Sequence, residues 1–539
     1  MITTTEKSYL DIGSAKDLES FGSWFFYRML EIIPGGLMWL TFILMVLGSI
    51  YKPLWAIIFI ILFDVYWLLK TMYLSWHLRA SFRTMRQLEK IDWIKRLDGI
   101  DLSSHQLGIR NWRNDLWQLV ILPYYHEGYE VLKTTCEGLV ATEYPKDRII
   151  IVLSGEGRAG EKARLVGEKI YREFGALFGR FLLTTHYDAP GELAGKGANE
   201  TWAAREVKEK ILDIEKINYE HVVTSVFDVD TVSSKNYFSR LSFLYLISPK
   251  PLRTSYQPIP LFINNIWEAS IIARVMAFSS SFWHLMNQMR PEQLISFSSH
   301  AFPFKALVEM NFWQVNVVSE DSRIFWQGIL RFNGDWRVEP LLVPVSMDAN
   351  VAETLWRTLK NIYLQQRRWA YGVADFPYQI YGFRQNKEIP FKTKFYWTCY
   401  RMESWWSWPT NSFMIFFMGW LPILLGGHLF GVTVLAYNVP RITSWVLTFA
   451  MFGIITSIYL TLKILPPRPA YYGWHKYLSM VFQWLLVPVS LIFSSIPAID
   501  AQTRLMFGRY LGFWPTPKVR KGIQKVIFEY DKVDPTHNL

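Results

Sequence analysis

The stretch His221-Val222-Val223-Thr224-Ser225-Val226-Phe227-Asp228-Val229-Asp230-Thr231-Val232 decides how the chain is read. Its apolar, β-branched run has the length of a buried strand, and the acids stop it abruptly. Side chains alternate faces along an extended backbone, so carboxylates two residues apart would point the same way at the strand's carboxyl end. That arrangement seats Mg²⁺ or Mn²⁺, which take one or two protein carboxylates and leave room for substrate phosphate oxygens. The plainer reading makes both acids turn formers after a strand. The rest of the chain decides between the two.

On either side of this stretch, strand-like and helix-like runs alternate. Trp117 to Pro123, Arg148 to Leu153, Phe181 to Thr185 and His221 to Phe227 read as strands, with Tyr129 to Thr142 and Glu161 to Phe174 as helical connections. This predicts an α/β domain with a mostly parallel sheet joined by crossovers, in which ligands gather beyond the carboxyl ends of the strands. The candidates just past those ends are Tyr124-Tyr125-His126-Glu127, Ser154-Gly155-Glu156, Gly195-Lys196-Gly197-Ala198-Asn199, and Asp228 with Asp230.

Two more constellations lie downstream. Ser319-Glu320-Asp321 comes after the aromatic and β-branched stretch Phe312 to Val318, which would bring more carboxylates to a pocket wall. Asn350 to Gly372 reads as an amphipathic helix with Asn350 as its N-cap. On it Gln365, Arg368 and Trp369 fall at i, i+3 and i+4, offering an amide, a guanidinium and an indole on one face. A basic helix lying on a membrane, anchored by Trp, is the alternative.

The chain has 539 residues, 51% of them apolar, with 25 Trp and a formal charge of +11. Its basic residues cluster beside apolar runs, as in membrane proteins, so the charge is read as membrane flanks and not as a nucleic-acid footprint. Cys136 and Cys399 are the only cysteines, which leaves no disulfide framework and no Cys-based zinc site. Ile33 to Ile50 and Leu54 to Trp76, separated by Tyr51-Lys52-Pro53, predict a transmembrane hairpin. Arg79, Arg83, Arg86, Lys90, Lys95 and Arg96 come next and place the residues downstream of them in the cytoplasm. Asp64, near the middle of the second span, either lines a conduit or makes a helix-helix hydrogen bond.

The expected organisation is a cytoplasmic N-terminal segment (1–32), the hairpin (33–76), a basic linker (77–110), an α/β globular domain (111–390), an interfacial helix (391–410), further transmembrane helices (411–499) and a cytoplasmic tail (500–539). Three apolar runs, Asn411 to Phe430, Ser444 to Leu465 and Tyr477 to Ile499, suggest three crossings. Three crossings would leave the basic tail outside, so either a broken helix through Gly426-Gly427 to Pro440 is expected or one run is not a full span.

In sequence order these residues resemble the family 2 glycosyltransferases, in particular the membrane-integrated processive branch that makes cellulose, hyaluronan and related β-glycans. Asp228-Val229-Asp230 resembles its DxD, Glu320-Asp321 its ED pair, and Gln365-Gln366-Arg367-Arg368-Trp369 its QxxRW. Gly195-Lys196-Gly197-Ala198 is similar to its GKA segment, and Pro123-Tyr124-Tyr125-His126-Glu127 to its P-x-Y-N-E, with His126 at the Asn position. Phe513-Trp514-Pro515-Thr516-Pro517-Lys518 resembles the FxVTxK gating loop, with Pro515 in place of Val.

The resemblance implies a GT-A-like domain inserted between transmembrane helices of a polytopic inner-membrane protein. It implies Mg²⁺- or Mn²⁺-dependent, inverting transfer from a nucleotide-diphosphate sugar, a UDP-sugar first, to a growing glycan at the bilayer. Under it Asp321, next to Glu320, is the general base, and Asp228 and Asp230 hold the metal. Tyr125, Glu127, Glu156 (on a shifted loop, for the nucleobase), Lys196, Gln365, Arg368, Thr516 and Lys518 bind the nucleotide sugar, and Trp369 binds the acceptor. The alternatives are a non-processive enzyme adding one sugar to a lipid carrier, and a transporter or channel with a nucleotide-sensing domain.

Overall fold

A computed structural model describes residues 8–516, apart from 451 and 471. Lys518, with the rest of the expected tail beyond Thr516, lies outside the described residues.

The four expected strands are present: β1 (Trp117–Tyr124), β2 (Ile149–Glu156), β3 (Arg180–His186) and β4 (Val222–Val226). They run parallel in the order β3-β2-β1-β4, with Val120 facing Ile151 on one side and Ser225 on the other. Helices cover both faces, which is why these strands read as continuous apolar runs. The connections Tyr129–Val140 and Gly160–Phe174 bury Leu132, Cys136 and Ile170 on one face. The helix Lys196–Val207 buries Ala203, Ala204 and Val207 on the other.

The sheet is larger and less parallel than expected. Four more strands extend it: β5 (Val232–Ser233), β6 (Thr254–Phe262), β7 (Ala301–Pro303) and β8 (Arg337–Met347). The full order is β3-β2-β1-β4-β7-β6-β8-β5, and β7 runs antiparallel to both β4 and β6, so the sheet is mixed. Prolines hide these strands in the sequence: Pro258 and Pro260 interrupt β6, and Pro340 and Pro344 interrupt β8, each removing a ladder donor. The β6–β8 register shifts between Gln257 and Ile259, at Pro258.

Other boundaries also move. β2 continues through Ser154-Gly155-Glu156, expected as loop, and Glu156 pairs with His186. The aromatic and β-branched stretch Phe312 to Val318 is irregular, and Glu320 and Asp321 open the helix Glu320–Arg331. The amphipathic helix runs Leu355–Ala370, capped not by Asn350 but by Thr354, whose side chain accepts from the Arg357 amide.

Among the described residues two helices, Phe21–Tyr51 and Pro53–Leu88, are long and apolar enough to cross a membrane. The first begins inside the segment expected to precede the hairpin. A third span is present if Phe391–Phe416 and Met418–Leu425, bent by 50° at their junction, count as one. The expected interfacial helix is thus the first part of a longer one. The runs read as three crossings are divided: Leu421–Leu425 and Gly427–Gly431, then Val434–Ala450 and Phe452–Ile464, then Trp474–Phe482 and Val487–Met506. Asp64 is buried and accepts a hydrogen bond from Thr443 Oγ1 at 3.4 Å, joining two helices.

Candidate functional site

The site forms where β4 ends. Asp228 and Asp230 do not share a strand face, because the chain turns at once, with the Thr231 amide donating to the Asp228 carbonyl. The two carboxylates part. Asp230 is fully buried, its Oδ2 accepts from the Asp348 amide at 2.9 Å, and Asn264 bonds its carbonyl. Asp228 faces the opening, where Ser298 Oγ donates to its Oδ2 at 2.7 Å.

Opposite Asp228 stands Lys196, the first residue of its helix. Lys196 Nζ lies 2.9 Å from Asp228 Oδ1, 2.9 Å from Asp321 Oδ1, 3.1 Å from Glu200 Oε1 and 3.8 Å from Glu320 Oε1. One ammonium therefore joins the DxD-like turn, the GKA-like helix start and the Glu320-Asp321 pair. Gly197 permits the approach: a Cβ there would meet the Gln314 carbonyl at 3.0 Å and Glu320 Cβ at 2.9 Å. The amino ends of two helices consequently face each other, and their dipoles favour acids in the first turn.

Burial divides the four carboxylates into two kinds. Glu200 and Glu320 are enclosed, whereas Asp228 and Asp321 keep 29% and 23% of their side chains exposed. Burial, reinforced by the Asp321 charge, pushes Glu320 up to about 8, and burial holds Glu200 well above the usual carboxylate range. Both favour the proton-bound form near neutrality. Burial alone would lower Lys196, but Asp228, Asp321, Glu200 and Glu320 together outweigh it and keep the ammonium charged. His300 closes the floor: its Nδ1 donates to the Phe297 carbonyl at 2.8 Å, and its Nε2 accepts from Trp313 Nε1 at 3.2 Å. Burial pushes its pKa down to about 4, in keeping with a neutral ring.

The donors suit a hard divalent cation, since oxygens of Glu200, Glu320 and Asp321 lie within 4.8 Å of one another and all are carboxylate oxygens. Asp228 shares their lysine; Asp230, also expected as a ligand, is turned towards the Asp348 backbone.

The nucleotide-side candidates gather at the ends of β1 and β2. Glu127 accepts from the Tyr125 amide at 2.7 Å, and Arg158 stands 4.8 Å over the Tyr125 ring while pairing with Glu156. Burial raises the Glu156 pKa, which Arg158 opposes. The helix of Lys196 is tied to this end of β2, where Asn199 Nδ2 donates to the Ser154 carbonyl at 3.0 Å.

The three residues of the Leu355–Ala370 helix face two ways. Gln365 and Trp369 line a cavity of about 20 Å³ beside Phe262, whose ring centre is 6.1 Å from that of Trp369. Arg368 turns to the other side, 5.0 Å over the Phe513 ring, and its charge acts on Glu320. Phe513 also closes on Gly195, where a Cβ would meet its ring at 2.8 Å. Phe513 thus packs the start of the gating-like segment against the helix start of Lys196, and Thr516 is part-buried at the last described position.

Sequence reasoning missed Glu200, Ser298, His300 and Arg158. Only Glu200 carried a signal, one helical turn after Lys196 on the same face.

No protein-family model matches the sequence, and no curated protein matches it. Among solved structures, the mannosyltransferase PcManGT from Pyrobaculum calidifontis, in complex with GDP-Man and Mn²⁺, is similar over 81% of this chain and 100% of its own, at 11% identity and a TM-score of 0.40. TarS 1-349 from S. aureus in complex with UDP is similar over 73% of this chain and 93% of its own, at 10% identity and a TM-score of 0.33. The same protein with UDP-GlcNAc gives 66% and 93%, at 11% identity and a TM-score of 0.29.

Proposed function

We propose that the chain is a membrane-associated glycosyltransferase that moves a sugar from a nucleotide-diphosphate sugar to a glycan acceptor with inversion. The observation that carries this reading is Lys196, which draws Asp228, Asp321, Glu200 and Glu320 from three separate stretches to the carboxyl end of the sheet. A parallel sheet gathers ligands at that end.

Each residue has a role in a single displacement. The acceptor hydroxyl attacks the anomeric carbon from the face opposite the diphosphate, the sugar–phosphate C–O bond breaks, and the hydroxyl proton passes to Asp321, the more open acid of its pair. Arg368 offers a forked, always charged donor to the diphosphate. Lys196 orients Asp228 and Asp321. Tyr125, Glu127 and Glu156 with Arg158 wall the nucleotide side, with Thr516 closing over it. Glu200, Glu320 and Asp321, with Asp228 across their shared lysine, would hold Mg²⁺ or Mn²⁺ once the two glutamates give up their protons, and the ion would supply positive charge for the leaving diphosphate. Asp230 holds the turn that presents Asp228.

The finer reading is processive synthesis, with Trp369 at the acceptor and the product leaving along the apolar helices. It is favoured by the link between the Trp369 helix and Val487–Met506, where Asp500 Oδ2 accepts from Tyr363 Oη at 2.9 Å and pairs with Arg367 at 3.1 Å. Purified protein given a panel of nucleotide sugars should release nucleoside diphosphate from at least one of them. Release from none, with Mg²⁺ or Mn²⁺ and a glycan primer present, rejects the assignment.

A further inference from the structure

We propose that the cavity lined by Arg79, Arg83, Arg86 and Lys90 binds the phosphate headgroup of an anionic phospholipid. The cavity has a volume of about 430 Å³, its apolar wall includes Phe82 and Leu460, and none of its lining side chains is acidic. That volume falls within the roughly 300–1,000 Å³ of small-ligand sites.

The four cations recur at i, i+4, i+7 and i+11 on Pro53–Leu88 and its immediate extension, so they form one stripe. A general cytoplasmic excess of Lys and Arg requires no such stripe and no cavity. One end is pinned, since Arg79 Nε donates to Thr456 Oγ1 at 3.1 Å on the helix Phe452–Ile464. Arg86 pairs with Glu89 at 2.8 Å, while Arg83 and Lys90 are exposed. Guanidinium forks match phosphate oxygens, and the apolar wall suits the glycerol and first acyl carbons that a free phosphate lacks.

Helix length favours lipid as the source at the Arg79 end of the stripe. About 20 residues cross the hydrocarbon, so a span beginning at Pro53 leaves it near residue 73. At 1.5 Å per residue, Arg79 stands roughly 9 Å further on, close to headgroup depth. The stripe then runs inward from the membrane surface.

The test uses the full chain reconstituted in nanodiscs of phosphatidylcholine with a minor fraction of phosphatidylglycerol, with retained lipids counted by native mass spectrometry. The wild type should retain phosphatidylglycerol selectively, and Arg83→Gln with Arg86→Gln should lower that selectivity roughly tenfold or more. Lys95→Gln with Arg96→Gln removes the same charge from outside the cavity and should keep it. If the cavity pair fails to fold, Arg83→Gln alone, at an exposed residue, gives the same comparison. Equal losses in the two pairs would mean diffuse flank charge and overturn the proposal. Thermal protection by inorganic phosphate equal to that by phosphatidylglycerol would make this a free-anion site and overturn it as well.

Discussion

Lys196 Nζ lies 2.9 Å from Asp321 Oδ1 although 125 residues separate the two in sequence. With Asp228 at the same distance, the ammonium balances acids that would otherwise repel one another. Lys196→Met removes the cation and leaves buried acids unpaired, a change that costs about 3–5 kcal/mol when a buried pair is broken from one side. The variant should melt well below wild type in chelator, and millimolar Mn²⁺ should recover part of the loss by occupying the same oxygens. A variant as stable as wild type without metal would remove Lys196 from this role.

Asp321→Asn keeps the shape of the side chain and an oxygen for Lys196, but cannot accept the acceptor's proton. Nucleotide-sugar binding should persist while transfer falls by about a hundredfold or more, the scale of positioned proton transfer. Titration of binding alongside single-turnover rates separates the effects. Lost binding with turnover retained at saturation would make Asp321 a positioning residue instead.

Gly197→Ala is a test of the helix contact. Within a helix this exchange ordinarily stabilises by up to about 1 kcal/mol. Here the new methyl would stand 2.9 Å from Glu320 Cβ and 3.0 Å from the Gln314 carbonyl, and backbone cannot swing aside. Overpacking of this kind costs about 1–3 kcal/mol, so the net sign should be destabilising. Transfer should drop with it, because the helix carrying Asp321 is pushed from Lys196. Thermal melts and initial rates check both, and an unchanged protein would show that the two helix ends part without consequence.

The legible parts of the chain are those in which one local pattern fixes one local structure. β1 to β4 are apolar on both faces and have no prolines in their centres, so length and composition find them. β6 and β8 carry prolines, and their pairing is set by tertiary contact, which no window of sequence contains. The site divides in the same way. Lys196, Asp228 and Asp321 stand in recognisable motifs and meet. Strand alternation puts Asp230 beside Asp228, but the turn after Phe227 sends it to the Asp348 amide instead. His300 and Arg158 cannot be chosen in advance, because their importance lies only in which distant side chains they touch.

Trp369 bears on whether the product is a polymer. Its indole tilts against Phe262 at 6.1 Å and shares a wall with Gln365, on a helix that Asp500 ties to Val487–Met506. An aromatic face gives a sugar contact area without demanding one rigid orientation, which suits a site that must accept each newly added unit. A single-sugar transferase acting on a lipid carrier has no need of such a platform beside the apolar helices. Trp369→Ala should therefore leave nucleotide-sugar binding nearly intact and stop chain growth, so that wild type makes long product and the variant only short oligomers or free sugar. The measurement is to supply purified protein in vesicles with one labelled nucleotide sugar at a time and size what accumulates. A lipid-linked monosaccharide from every donor, in wild type and variant alike, would reject polymer synthesis and favour the carrier-directed enzyme.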